Sequence, residues 1–394
     1  MRILQSVRNK NLKKLMQEIR VDSYGVGIML PKANHYLVRL NKVSNISANI
    51  LKQEMLSLGG DVAVSRGALT GSVKKTDCLL MGTLSQFDRL NNKLAAQPFG
   101  LNRLAESLRS SFTRYEREDF ILDLGRYRLN LGVRTHIMGI LNITPDSFSG
   151  DGLLHKDCAL KYAGQLIRDG ADIIDVGGES TRPGARPVSL KEELGRVIPV
   201  IKLLSKKIKV PISVDTVKPQ VAEQALDNGA VIVNDITGLK DPKMVKEIAR
   251  KRAAVVIMHM KGTPRSMQKN TVYVSLLDEI IEYLGERIDR ATSVGISPEK
   301  IIVDPGLGFA KSAEQNLEIL NNLRDLKVLG QPILVGPSRK SFIGKLLKTA
   351  PQERIFGTVA ASVIAAGNGA KIIRTHDCLA VKQALKVGDG INKS

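Results

Sequence analysis

The sequence runs to 394 residues, with 43% hydrophobic residues, 34 glycines and a formal net charge of +20; this is chain enough for two domains and apolar enough to bury a substantial core. That composition excludes a disordered or collagen-like protein, and no stretch reaches the ~18 consecutive apolar residues of a membrane span. Trp is absent and aromatics make up only 4%, so there is little to stack on bases; no nucleic-acid motif is present, and the basic excess reads as a solvated surface, with no nucleic-acid partner expected.

The N-terminus lacks an apolar signal core. Residues 10–19 are expected to be helical, 25–30 (GVGIML) and 36–40 (YLVRL) to be strands, and 46–57 to be helical again. DVAVS at 61–65 and DCLLMG at 77–82 read as strands, and 84–95 and 101–111 as helices parted by Pro98-Phe99-Gly100. Together these make a small α/β domain over 1–113. Residues 1–115 hold 18 Lys+Arg against 7 Asp+Glu, a net +11, so just over half of the basic excess sits at the front. No motif there assigns a role: GALTGSVKKTD has glycines and lysines but not the GxxxxGK[ST] spacing of a phosphate loop. Residues 114–119 read as a polar linker. FILDLGRYRLNLG at 120–132 reads as a hairpin around Gly125, suited to plugging the bottom of a barrel. Cys78, Cys158 and Cys378 are far apart without CxxC spacing, which fits packing residues in a reducing, cytoplasmic setting.

From residue 137 onward the expected strands are 137–142, 172–178, 212–215, 231–235, 255–260, 301–306, 333–338 and 371–376. Helical stretches such as 157–169, 218–228, 242–251, 274–293 and 353–366 lie between them. Alternation of this kind means a parallel sheet. Most of the runs end in a residue that can bind or react: Asn142, Glu179, Asp215, Asn234, His259, Asp304, Lys340 and Arg374. An open doubly wound sheet gathers such residues at one switch point; their recurrence after nearly every strand argues for a (β/α)8 TIM barrel over 120–394, whose strand-to-helix loops build one site. The fold class is therefore α/β, a TIM barrel preceded by a small α/β domain.

Seven motifs then stand in order: MGILNITPDSFSGDG (138–152), DVGGESTRPGA (175–185), SVDT (213–216), NDITG (234–238), DPGLGFAK (304–311), SRKSFIG (338–344) and RTHD (374–377). In these the chain resembles the dihydropteroate synthase family over roughly 120–390. The resemblance implies a transferase of folate biosynthesis that joins 4-aminobenzoate to 6-hydroxymethyl-7,8-dihydropterin diphosphate, forming dihydropteroate and releasing pyrophosphate. It also implies Mg2+, with Asn142 as the protein ligand that also touches the diphosphate, and a homodimer is expected. Mg2+ keeps several waters and takes phosphate oxygens, so one protein oxygen suffices.

The residues suit that reaction. A pterin edge alternates donors and acceptors, which Asp215, Asn234 and Asp304 can match bond for bond, and an unmatched buried polar group costs about 1–3 kcal/mol, which sets selectivity. Arg374 and His376 suit the departing diphosphate. By resemblance Lys340 contacts the pterin, and Met258 belongs to the substrate pocket. Ser341, where a helix begins, can hold the carboxylate of 4-aminobenzoate, with Phe309 and Lys311 completing that side. The loops 144–152 and 180–187 are long and rich in Gly, Pro and Ser, and are expected to close over the substrates, with Thr181, Arg182 and Pro183 contributing from the second. Lys340, Arg374, His376 and Asp215 are the expected catalytic set. Two departures from the family pattern touch loop shape: Ala310 where a glycine is usual, and GDG at 150–152 for a DGG run. Two alternatives are weighed against this reading. A corrinoid-dependent methyltransferase of the related pterin barrels has no use for SRKS, STRPG or RTH, and a non-catalytic pterin binder would not be expected to keep Lys340.

Overall fold

The computed structural model describes residues 9–143, 152–179, 187–262 and 271–393. It divides into two compact units, Met1–Thr113 and Arg114–Ser394.

The first unit is built from α1 (Asn9–Glu18), α2 (Ser23–Ala33), β1 (His35–Ser44), α3 (Asn45–Ser57), β2 (Asp61–Val64), α4 (Arg66–Thr70), β3 (Lys75–Thr83), α5 (Leu84–Leu94) and the start of α6 (Leu101–Glu116). The strands form an antiparallel sheet in the order β1-β3-β2. Alternation along β3 buries Thr76, Cys78, Leu80 and Gly82, and Leu51, Met55, Phe87, Leu90 and Leu94 from α3 and α5 close over that face to make a core of its own. One expectation fails here. GVGIML is not a strand but the middle of α2, whose Asp22 cap accepts a hydrogen bond from Gly25 N at 2.8 Å. A short apolar run has no period of its own, so the cap decides its conformation. The polar segment after 113 is also not wholly a linker, because α6 continues to Glu116.

The second unit opens with β4 (Ile121–Asp123) and β5 (Arg128–Asn130), an antiparallel hairpin. Eight parallel strands follow: β6 (His136–Asn142), β7 (Ile173–Gly177), β8 (Ile212–Asp215), β9 (Ile232–Asp235), β10 (Ala254–Met258), β11 (Ile301–Asp304), β12 (Ile333–Val335) and β13 (Ala370–Thr375). They pair in sequence order, and β13 closes on β6. The intervening helices are α7 (Gly152–Arg168), α8 (Leu190–Lys207), α9 (Pro219–Asp227), α10 (Pro242–Lys251), α11 (Leu276–Ser293), α12 (Ala313–Asn321), α13 (Ser341–Leu347) and α14 (Ile355–Gly367), with α15 (Cys378–Lys393) last. The strands are apolar on both faces because both are covered. Residues such as Ile174, Val214, Val233 and Val255 pack against the helices. Met138, Ile173, Ile232, Val256, Ile302 and Ile372 fill the barrel interior together with Phe120, Leu122 and Leu131 of the hairpin. The hairpin thus seals the end at which the strands begin. The opposite end, where they finish, is left for the site.

Candidate active site

The register of the barrel sets the polar tips level with one another. Asn142 pairs with Gly177, Gly177 with Asp215, Asp215 with Asn234, and Met258 with Asp304. Arg374 reaches across this ring from β13. Its Nη2 donates to Asp215 Oδ2 at 2.7 Å and its Nε to Asp175 Oδ2 at 2.6 Å, and Asn234 Nδ2 donates to the same Asp175 oxygen at 3.0 Å. Burial alone would lower the Arg374 pKa, but Asp175 and Asp215 beside it raise it, so the guanidinium stays charged. Burial pushes Asp215 up to about 7 against the pull of Arg374. It likewise raises Asp304, although that carboxylate accepts Gly306 N at 2.7 Å.

Lys340 approaches from the turn between β12 and α13. Its ammonium stands 4.2 Å from the centroid of the Phe309 ring. Burial, helped by Arg374 and opposed by Asp304 and Asp215, pushes Lys340 down to about 8. A local frame fixes the turn. Arg339 adopts φ 54°; its side chain makes two bonds to Asp377, at 3.0 and 2.5 Å, its N donates to Thr358 Oγ1 at 3.0 Å, and its O accepts Arg354 Nη1 at 3.0 Å. Ser338 Oγ lies 3.0 Å from His376 Nδ1 and accepts His376 N at 3.2 Å, which ties the end of β13 to the same turn. Ser341 is exposed as the first residue of α13.

Met258 and Phe309 pack with Ile236, Met260 and Ala310 in an apolar cluster on the β9, β10 and β11 side. Ala310 has φ 52°, so this chain takes a left-handed conformation with an alanine where the family pattern has glycine. Lys311 is turned inward. Its three donors go to His259 Nδ1, Gly306 O and Phe309 O, at 3.0, 3.1 and 3.0 Å, leaving none for a substrate carboxylate; the ammonium instead pins the loop that carries Phe309. Burial, with Lys311 beside it, pushes His259 down to about 2, so the ring is neutral, and with Lys311 Nζ donating its Nδ1 is the acceptor.

Two of the strand-end residues singled out in the sequence point elsewhere. His259 is held by Lys311. Glu179 accepts Lys218 Nζ at 2.5 Å and Val188 N at 3.4 Å, while Lys218 also reaches the fully buried Glu193. Thr181, Arg182 and Pro183 lie outside the described residues, as do 144–151 of the first loop. Sequence reading missed Asp175. Its signal was there, a carboxylate in the middle of the otherwise apolar run IIDVG, and the residue is fully buried.

Among the described residues no three His, Cys, Asp or Glu side chains come together as a metal cluster. A hard cation that binds mostly phosphate and water needs no such cluster. A Cβ built on Gly177 would meet Asn142 Oδ1 at 3.5 Å and Asp215 Oδ2 at 3.8 Å, ordinary contact, and Asp215 Oδ2 already accepts Arg374, so Asn142 Oδ1 is the neutral oxygen that fits such an ion.

The pterin binding enzyme family matches residues 138–376. A dihydropteroate synthase of Synechocystis is 48% identical over 273 residues, spanning 68% of this chain and 94% of that protein. A probable bifunctional folylpolyglutamate synthase/dihydropteroate synthase of Halobacterium salinarum is 40% identical over 383 residues, 95% of this chain and 45% of its own length, so the likeness includes the first unit. Among solved structures, that of the Yersinia pestis dihydropteroate synthase with a sulfonamide drug complex superposes with a TM-score of 0.67 at 41% identity. It covers 70% of this chain and 100% of the other.

Proposed function

The chain belongs to the dihydropteroate synthase family of pterin binding enzymes, and from that premise we propose how its residues divide the reaction. The enzyme condenses 6-hydroxymethyl-7,8-dihydropterin diphosphate with 4-aminobenzoate. The bond from the pterin methylene carbon to the diphosphate oxygen breaks, its electron pair leaving with pyrophosphate; the amine nitrogen bonds to the same carbon and gives up a proton.

Asp215, Asn234 and Asp304 read the heterocycle's edge and Met258 borders its face, while Phe309 belongs to the 4-aminobenzoate side. Lys340, held over Phe309, contacts the ring. Arg374 and His376 receive the departing charge from one side of the mouth. Asn142 would hold Mg2+ through Oδ1, with diphosphate oxygens and water completing the shell; when bound, the ion supplies further positive charge to the leaving group. Ser341 takes the carboxylate of 4-aminobenzoate, with Thr181, Arg182 and Pro183 assigned to the same side from the sequence. An aniline nitrogen is neutral near pH 7, so attack needs no strong base. The observation that carries this reading is the single cluster of Asp215, Asn234 and Arg374, joined through Asp175, with Asp304 and Lys340 acting on the same charges.

The natural assembly is proposed to be a homodimer, supported by the exposed apolar residues Phe356 and Ile364 of α14. A cytoplasmic setting is supported by the free thiols of Cys78, Cys158 and Cys378, of which Cys158 is exposed and so is not a packing residue; no described helix is long and apolar enough to cross a membrane.

The test is pyrophosphate release by the full chain. Pyrophosphate is expected only when both substrates and Mg2+ are present, with sulfonamides competing against 4-aminobenzoate. Tight pterin binding without pyrophosphate would refute the assignment in favour of a binding protein.

A further inference from the structure

Asp175 is fully buried on β7 and makes two hydrogen bonds, both through Oδ2, to Arg374 and to Asn234. Its Oδ1 has no hydrogen-bond partner among the described residues. Stability of the barrel does not call for such a group. Ile173 and Gly177, which share its face of the strand, are apolar or small, and a buried ion pair replaced as a whole by well-packed apolar residues often keeps its stability, whereas loss of one partner alone is costly. Both of its bonds end on side chains assigned above to the substrate.

Resting on that assignment, we propose that Asp175 is a positioning residue that sets specificity: it fixes the Asn234 amide with the nitrogen turned inward and the carbonyl oxygen free for a donor on the heterocycle, and it shares Arg374 with Asp215 so that Asp215 keeps oxygen capacity for a second donor. Without Asp175 the amide is free to turn over, presenting a donor where the substrate also has one. Arg374 would then rest on Asp215 alone.

The charges around Asp215 make this testable by pH. It is faced by Arg374 from β13, Asp175 from β7, Glu193 from α8, Asp235 from β9 and Lys340 from the β12–α13 turn. Burial is the largest cause that raises Asp215, Arg374 opposes it, and Asp175 adds to it. Taking the charge from Asp175 removes a raising influence and gives Asp215 all of Arg374. Both effects lower its pKa, so the carboxylate persists to lower pH.

The experiment uses the full chain, unsubstituted and as Asp175→Asn and Asp175→Ala. It measures the affinity for 6-hydroxymethylpterin between about pH 5.5 and 8.5, KM for each substrate, and melting temperature. Expected results are that the acid limb of pterin affinity in D175N moves down by at least about half a pH unit, and that D175A loses about tenfold in pterin affinity while KM for 4-aminobenzoate stays within about threefold. An unmoved limb in D175N overturns the inference; so does a D175A whose two KM values rise together in step with lost melting temperature. Should D175A fail to fold, the limb in D175N decides. If the unsubstituted chain binds no pterin and forms no pyrophosphate, the functional assignment fails and takes this inference with it; if it does both and the variants match it, only the inference fails.

Discussion

Asp215 and Lys340 are pushed towards each other by one cause, burial, which disfavours charge on either: the carboxyl rises to about 7 and the ammonium falls to about 8. On the proposed roles, substrate recognition needs Asp215 ionised, to accept from the pterin, and Lys340 protonated, to face the ring. The free enzyme therefore has a narrow working window. kcat/KM for the pterin diphosphate is expected to be bell-shaped, falling below about pH 7 and above about pH 8, the limbs belonging to the linked groups together. Lys340→Met should lose the alkaline limb and cost roughly 10- to 100-fold, the worth of a hydrogen bond to a charged group; an alkaline limb that survives in K340M would assign it elsewhere. The same burial bears on stability. A carboxyl whose pKa is raised on folding contributes stability below its ordinary value of 3.8, and that contribution is lost as pH rises through about 7. Asp215→Asn has no such loss. Relative to the parent its melting temperature should climb by a few degrees from pH 5 to pH 8, as activity falls, and a difference that stays flat with pH would show that Asp215 does not titrate in this range.

At the scale of elements, the turn from β12 into α13 shows how a loop is made to hold the side chain assigned to its chemistry, Lys340. Arg339 in the left-handed region costs about 1 kcal/mol or more for a residue with a Cβ, and the two bonds to Asp377 compensate. Asp377→Ala should release the turn and move Lys340 and Ser341. The expected loss is at least tenfold in kcat/KM, with about 1–3 kcal/mol of stability, which is a fall of roughly 2–4 °C per kcal/mol for a unit of this size. Equal kcat/KM in D377A and parent would mean that Lys340 is positioned by its own packing on Phe309. Little of this frame was legible in the sequence, since Asp377 and Arg339 are 38 residues apart and only the pairing of β12 with β13 brings them together. Some elements were legible to the residue: ISVD at 212–215 is β8 and 242–251 is α10, whereas the strand expected over 333–338 stops at Val335 and that over 255–260 at Met258. Apolar runs bounded by turn residues and covered on both faces leave little choice of conformation. GVGIML misled because Val26 and Ile28 are strand-forming residues while the deciding feature, the Asp22 cap, lies outside the run. Asp175 was passed over for a related reason. It sits inside a strand, where the eye expects packing, and its meaning comes from Arg374 and Asn234, each on a different strand.

For the whole molecule, the clearest unresolved demand is the outer face of α14. The helix reads IFGTVAASVIAAG without a single charged residue, and a helix apolar all round belongs in an interior. One side is satisfied, since Thr358, Ala361, Ser362 and Ala365 are buried. Phe356, Ala360 and Ile364, spaced four apart along the other side, are exposed, Phe356 by 82%. Leu379, Val387 and Ile391 of the adjoining α15 add exposed apolar surface. Such a patch supports the proposed homodimer, because a two-fold axis lets the same stripe meet itself. Sedimentation or light scattering at micromolar concentration is expected to give a dimer for the full chain and a monomer once Phe356 and Ile364 are both changed to Asp. Every described residue assigned to chemistry comes from one barrel mouth, so the monomeric variant should still release pyrophosphate, within a few-fold of the parent. A parent that sediments as a monomer would sink the assignment of this face, and a variant that stays dimeric would move the interface elsewhere on the molecule.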